Sequence, residues 1–138
     1  MSRVGNRIIA LGAICAALAV AIGAFGAHAL EGRVPVDMLA NYETGARYHF
    51  YHSLGMIGVG LLALYRGVRA GDAADPRDPS STRLRWSALL MLTGIVLFSG
   101  SLYTMALTGM RWLGAVTPFG GVAFLAAWAL FAWAALDS

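Results

Sequence analysis

Lysine is absent from this chain, and all ten of its basic residues are arginines. Charge of either sign is scarce: charged residues make up 12% and hydrophobic residues 59%, where soluble domains carry roughly a quarter charged residues. No Asp or Glu lies between Ile8 and Ala27, between Tyr48 and Tyr65, or between Trp86 and Leu136. That argues against proton-coupled transport, which uses a carboxylate titrating inside the membrane. The single cysteine, Cys15, can close no internal disulfide and reads as a small packing residue. No stretch outside the apolar runs interleaves Arg with aromatics, so a nucleic-acid partner is not expected. There is no Gly-rich phosphate loop, no nucleophile with a base at fixed spacing and no Cys cluster. The expectation is therefore a protein that is not an enzyme, with no catalytic residue, no metal and no cofactor.

What is present is long apolar sequence. A membrane span needs about 20 mainly apolar residues. Four stretches meet that by length and lack of charge: Ile8–Ala27, Tyr48–Tyr65, Trp86–Thr108 and Trp112–Leu136. At about 1.5 Å per residue even the second covers about 27 Å. The expected fold is an all-α membrane protein, a four-transmembrane-helix bundle forming one domain over residues 1–138. Arg7, the apolar run and Ala27-His28-Ala29 imitate a signal peptide, but the run is longer than such a core usually is.

The connections differ in character. Between His28 and Arg47, Pro35 can open a helix, and the polar and apolar residues of Val36–Arg47 alternate at rough helical spacing. This predicts a short amphipathic helix on the membrane surface, running into the second span near Gly45. The second loop, Gly67–Arg85, is rich in turn and breaker residues, with Asp72, Asp75 and Asp78 among them. The arginines are lopsided. Arg3, Arg7, Arg66, Arg69, Arg77, Arg83 and Arg85 flank one side, and Arg33, Arg47 and Arg111 the other. The richer side is expected in the cytoplasm, so both termini are placed inside a bacterial inner membrane. Trp86 and Trp133 then mark the inner interface and Trp112 the outer one.

Small residues mark packing faces. Cys15, Ala19, Gly23 and Ala27 recur every fourth position, which lets helices approach closely in lipid. Use inside the chain's own bundle is preferred over a homo-oligomer contact. Ser87, Gly94, Ser101 and Thr108 repeat every seventh position and predict a seam facing other helices, with Leu89, Leu92, Ile95, Val96 and Leu102 off it. In the fourth span, Thr117 is read as a cap and Pro118 as the first helical position.

Polar residues gather at one expected depth beneath the outer interface: His28, Tyr48, His52, Ser99, Ser101 and Thr117, with Gly120 and Gly121 at the start of the fourth helix. Three uses compete. The first is interhelical hydrogen bonding alone. The second is a pocket for a small polar molecule, a lipid headgroup or a quinone-like ring, served by free N–H groups of the fourth helix and walled by Phe98 and Phe119. The third is haem or metal ligation by His28 and His52. It needs facing imidazoles, and His49 and His52, about 60° apart on a helix, should not both point inward.

Several phrases occur together in order: Gly23-Ala24-Phe25-Gly26-Ala27-His28; Thr44-Gly45 with Tyr48 and His52; Phe98-Ser99-Gly100-Ser101-Leu102-Tyr103; Leu113-Gly114 with Thr117-Pro118-Phe119-Gly120-Gly121; and Ala127-Trp128. In these the chain resembles the domain-of-unknown-function 423 family of small bacterial inner-membrane proteins, related to eukaryotic transmembrane protein 256. The resemblance implies four spans and no known activity. Members usually carry Gln where this chain has His49, so a role for that amide does not transfer. The leading functional expectation is a structural, accessory or interaction protein of the inner membrane, with the lipid bilayer and a membrane-protein partner or second copy around it. The alternative is a binder or carrier of a small polar molecule or headgroup, with a haem-binding redox protein behind it.

Overall fold

The structure is a computed structural model, and it describes residues 2–70 and 79–137. Helix α1 (Ser2–Phe25) continues through a π-helical turn, Gly26–Leu30, and α2 runs from Val36 to Ala70. Next come α3 (Pro79–Gly94), a second π-helical turn at Ile95–Ser99, and α4 (Gly100–Thr108), which together make one rod. A 3-10 turn at Arg111–Ala115 leads into α5 (Thr117–Leu136). Three rods are long and apolar enough to cross a membrane: Arg3–Leu30, Pro79–Thr108 and Arg111–Leu136. The fourth, α2, is the longest element at 35 residues and the more polar one.

The separate surface helix expected in the first loop does not exist as an element. Val36–Arg47 is the opening third of α2, unbroken into Tyr48. Pro35 lies just outside the helix, its carbonyl accepting from Leu39 N–H at 2.9 Å. The helix continues through Gly45, against which the Tyr103 ring lies, 2.9 Å from where a Cβ would be. The second loop is also shorter than expected, since helix extends to Ala70 and resumes at Pro79. Asp72, Asp75 and Asp78 lie outside the described residues.

α1 and α2 run antiparallel in contact along their length. Gly5 faces Gly60 and Leu64, Gly12 faces Ser53 and Ile57, and Gly26 faces Tyr42. A Cβ on Gly5 would stand 2.9 Å from the Gly60 carbonyl oxygen, and one on Gly60 the same 2.9 Å from that of Gly5. Glycine here permits backbone-to-backbone approach, as in lipid-embedded helix pairs. The tight stripe is thus offset from the one expected. Cys15 and Ala19 are buried, but Gly23 is half-buried and Ala27 exposed. The closest contacts belong instead to Gly5, Gly12 and Gly26.

On the other side of α2, neighbouring helices fill the glycine gaps. The Phe124 ring of α5 lies on Gly94 of α3, the Phe98 backbone on Gly120, and the Met91 thioether on Gly55. Ser87, Gly94 and Ser101 face neighbouring helices as the seven-residue spacing predicts, and Ser87 Oγ donates to the Ala127 carbonyl at 2.8 Å. Thr108 is exposed and bonds to Thr104 O of its own helix, because it is the last residue of α4. Gly109, at φ 73°, terminates that helix and returns its N–H to Met105 O at 2.8 Å. Of the residues placed off the seam, Ile95 and Leu102 are buried and Leu92 packs against the core, while Leu89 and Val96 are exposed.

Both chain ends lie at the same end of the assembly. Gly5 is beside Leu64 of α2, and Arg66 of α2 donates to the Ala134 carbonyl of α5. Arg83 pairs with Asp137 and lies over the Trp133 ring at 4.3 Å. Of the last carbonyls of α5, that of Ala134 is thus met by arginine and that of Trp133 by Asp137 N–H. At the opposite end Arg111 bonds Asp37 at 2.9 Å.

Gly94 gives the sharpest test of the packing, since a Cβ there would sit 2.3 Å from the Phe124 ring. Gly94→Leu should lower stability in detergent by roughly 1–3 kcal/mol, and exposed Val96→Ala should change little. Phe124→Leu should relieve part of the Gly94→Leu loss, a non-additivity readable in a double-mutant cycle of thermal melts.

Candidate functional site

The groove between α2 and α5 is built from two stripes. Tyr48, Tyr51 and His52 lie one turn apart on α2, and Pro118, Gly121, Leu125 and Trp128 recur on one face of α5. Phe98, carried on the Ile95–Ser99 π-turn, and Phe124 form the wall between them. The cavity is about 690 Å³, within the range of small-molecule sites. It opens on the outside of the assembly through exposed Tyr48, Tyr51, Val122 and Leu125.

Its walls are aromatic and ordered by stacking. Tyr48 lies over Phe98 with centroids 4.7 Å apart. His52 stacks on Phe124 at 3.3 Å and 10°, and Trp128 stands 6.1 Å from His52. The His52 ring is held from behind: Nδ1 is 2.7 Å from the Tyr48 carbonyl oxygen. A carbonyl only accepts, so Nδ1 carries the proton, and in the neutral ring Nε2 presents a lone pair. His52 is 5% exposed. Nε2, on the ring edge turned away from its own backbone, makes no hydrogen bond among the described residues. None of the residues lining the groove is charged.

The eight residues singled out from sequence do not form one cluster. Tyr48, His52 and Gly121 line the groove. Gly121 opens onto it, with no atom within 4 Å of where its Cβ would be. Gly120 is instead a packing residue, a Cβ there falling 2.4 Å from Phe98 N. Ser101 and Thr117 bond each other at 2.8 Å, and Ser101 Oγ also lies 2.9 Å from Phe98 O. Ser99 is fully buried and its hydroxyl makes no hydrogen bond of normal geometry; its polar neighbour is the Tyr103 phenol. His28 is exposed on the first π-turn. Gly26 abuts Tyr42, so His28 lies near that level, and His52 is ten residues, about 15 Å, further along α2. The two imidazoles that haem ligation would need are therefore not brought together.

Four local expectations are corrected. Both His49 and His52 are buried, at 5% exposure each, because α2 has neighbours on several sides: His49 Nδ1 meets Tyr103 OH at 3.2 Å while His52 meets Phe124. Thr117 does not cap α5; it is the first helical residue, preceded by Val116, and no side chain caps the helix. The free N–H groups expected there are largely used up. Val116 N–H bonds Leu113 O and Phe119 N–H bonds Val116 O, and Pro118 has no N–H. Phe119, expected as a wall, is 70% exposed and is not among the lining residues; Phe124 takes that place. Tyr51, Phe124 and Trp128 were missed, although Pro118, Gly121, Leu125 and Trp128 fall on one helical face that the spacing alone could have revealed.

The fold is that of a helical membrane protein. The chain matches the family model described as a protein of unknown function (DUF423) over residues 22–121, and it belongs to that family. It is 47% identical over 129 residues to the UPF0382 membrane protein YwdK of Bacillus subtilis, covering 93% of this chain and 94% of that one. It is 39% identical over 118 residues to the UPF0382 inner membrane protein YgdD of Escherichia coli, covering 86% and 80%. A relative in Staphylococcus epidermidis, UPF0382 membrane protein SERP0230, is 42% identical over 120 residues, with 87% of each chain covered. No solved structure matches the chain significantly.

The Ser101–Thr117 bond joins α4 to α5. Ser101→Ala or Thr117→Val should each cost about 1 kcal/mol, and the pair together little more than either, since they share one bond. Thermal melts of the three variants check this.

Proposed function

We propose that this is an inner-membrane protein of four spans with both termini in the cytoplasm, acting as an accessory protein by holding a bilayer-borne molecule in the α2–α5 groove, by binding and not by catalysis. The fourth span is supported by α2's course beside α1. Contacts from Gly5–Leu64 to Gly26–Tyr42 carry α2 antiparallel across the same thickness as a rod that is itself apolar enough to cross. Its polar side chains His49, His52 and Ser53 are buried against protein, not lipid. Both chain ends at one end of the assembly agree with an even number of crossings. The seven-to-three arginine split supports an inside location for that end.

The binding reading rests on one observation: a histidine almost wholly buried in an aromatic wall, with one ring nitrogen unbonded, on a groove that opens where lipid would be. His49 also leaves one ring nitrogen unbonded, but of the two only His52 lines the groove. Exposed Tyr51, Val122 and Leu125 at the mouth suit entry from the bilayer.

Two measurements test this. A C-terminal alkaline phosphatase fusion should be inactive and a C-terminal fluorescent-protein fusion bright; an active phosphatase fusion would reverse the topology. Native mass spectrometry of protein released from its membranes should show a bilayer-derived adduct. Gly121→Leu should remove that adduct with the melting temperature nearly unchanged, because space is open at that position. An adduct equally retained by Gly121→Leu would move the site elsewhere.

A further inference from the structure

Resting on the groove reading above, we infer that the occupant is a planar aromatic head bearing a hydroxyl, a lipid-soluble hydroquinone, and that the site selects it over the corresponding quinone. The argument begins at His52. Its Nδ1 proton is committed to the Tyr48 carbonyl at 2.7 Å, so the edge left for a ligand is the Nε2 acceptor. An acceptor asks for a donor. A hydroquinone hydroxyl supplies one; a quinone carbonyl would set a lone pair against a lone pair in a site with little water.

The remaining walls decide between classes of donor. No charged residue lines the groove, and at the α5 start Val116 N–H bonds Leu113 O, Phe119 N–H bonds Val116 O and Pro118 has no N–H. A phosphate or carboxylate headgroup would therefore lose its hydration with no cation in return. The walls that do exist are flat rings: Tyr48 over Phe98 at 4.7 Å, and Trp128 near His52. Flat rings favour stacked or edge-on contact with another flat ring. Val122 and Leu125, 65% and 74% exposed, continue the groove toward lipid and suit an apolar tail. The cavity of about 690 Å³ is ample for one substituted ring.

The experiment uses the purified full chain in phosphatidylcholine nanodiscs, titrated calorimetrically and anaerobically with a short-tailed benzoquinol and, separately, with its benzoquinone. The native chain should bind the quinol about tenfold more tightly, the worth of one hydrogen bond made instead of an acceptor left facing an acceptor. His52→Gln, whose amide can turn either a donor or an acceptor to the groove, should bring the two affinities to within about twofold. Gly121→Leu should abolish binding of both while the protein stays folded by circular dichroism. Equal affinities in the native chain, or tighter quinone binding, with Gly121→Leu still blocking, would overturn the selection and leave the groove reading standing. No binding of either form to folded native protein would overturn the aromatic-head assignment; the adduct sensitive to Gly121→Leu would then show whether the groove holds something else. Absence of that adduct as well would end both.

Discussion

Rings and backbones seated on glycine hold this molecule together, and much else in it follows from that contact. Gly26 receives the Tyr42 ring, Gly45 that of Tyr103 and Gly94 that of Phe124, while Gly120 meets the Phe98 backbone and Gly5 and Gly60 let two backbones touch. In lipid there is no hydrophobic drive between helices, because lipid tails are as apolar as leucine. Association then depends on dispersion and hydrogen bonding, and dispersion rewards close approach. A glycine opposite a flat ring gives a large contact area at a small interaxial distance. It also fixes register, since a one-residue slide would drive the ring into a Cβ.

Close approach explains where the polar groups went. Tyr42 OH reaches Ile22 O at 3.0 Å and Ser87 Oγ reaches Ala127 O at 2.8 Å, each tying one helix to a carbonyl of another. The Tyr42 phenol is the donor in its bond, since a carbonyl only accepts. Most polar side chains of the interior are spent on such bonds. His49 and His52 each use only one of two ring nitrogens; His52 differs in lining the groove. The same Phe124 that fills Gly94 also forms the plate on which His52 lies. Packing and site thus share one side chain, so the groove wall is set by the same contact that joins α3 to α5.

The apolar runs of α1, α3–α4 and α5 were legible because long uncharged sequence has few other uses, and the arginine asymmetry is a property of composition. The second span was legible in length but not in continuity. Val36–Arg47 reads as amphipathic, and an amphipathic segment beside a membrane has two fates, lying on the surface or packing on protein. Tyr103 settling on Gly45 decided for the second, and that contact joins residues far apart in the chain. The α1 stripe was misphased for a related reason: four-residue spacing of small residues identified Cys15–Ala27, whereas the partner α2 meets Gly5, Gly12 and Gly26. Which small residues are used depends on the crossing angle, which no single helix encodes.

By itself the sequence determined an all-helical chain, made for a bilayer, in a family with no assigned activity, with its polar residues toward one end of its apolar runs. Those are matters of composition and order. Tertiary structure alone decided which of those residues meet. His28 and His52 read from sequence as lying at one depth, but they stand about 15 Å apart along α2, because α1 lies against α2 in a register set by glycine. Ser101 and Thr117 found each other, because the 3-10 turn at Arg111–Ala115 delivers α5 beside α4. His52 kept one nitrogen free because its own helix supplied a carbonyl to the other and Phe124 covered its face. Spacing along a chain places side chains on a face, but only the neighbouring helix determines what that face touches.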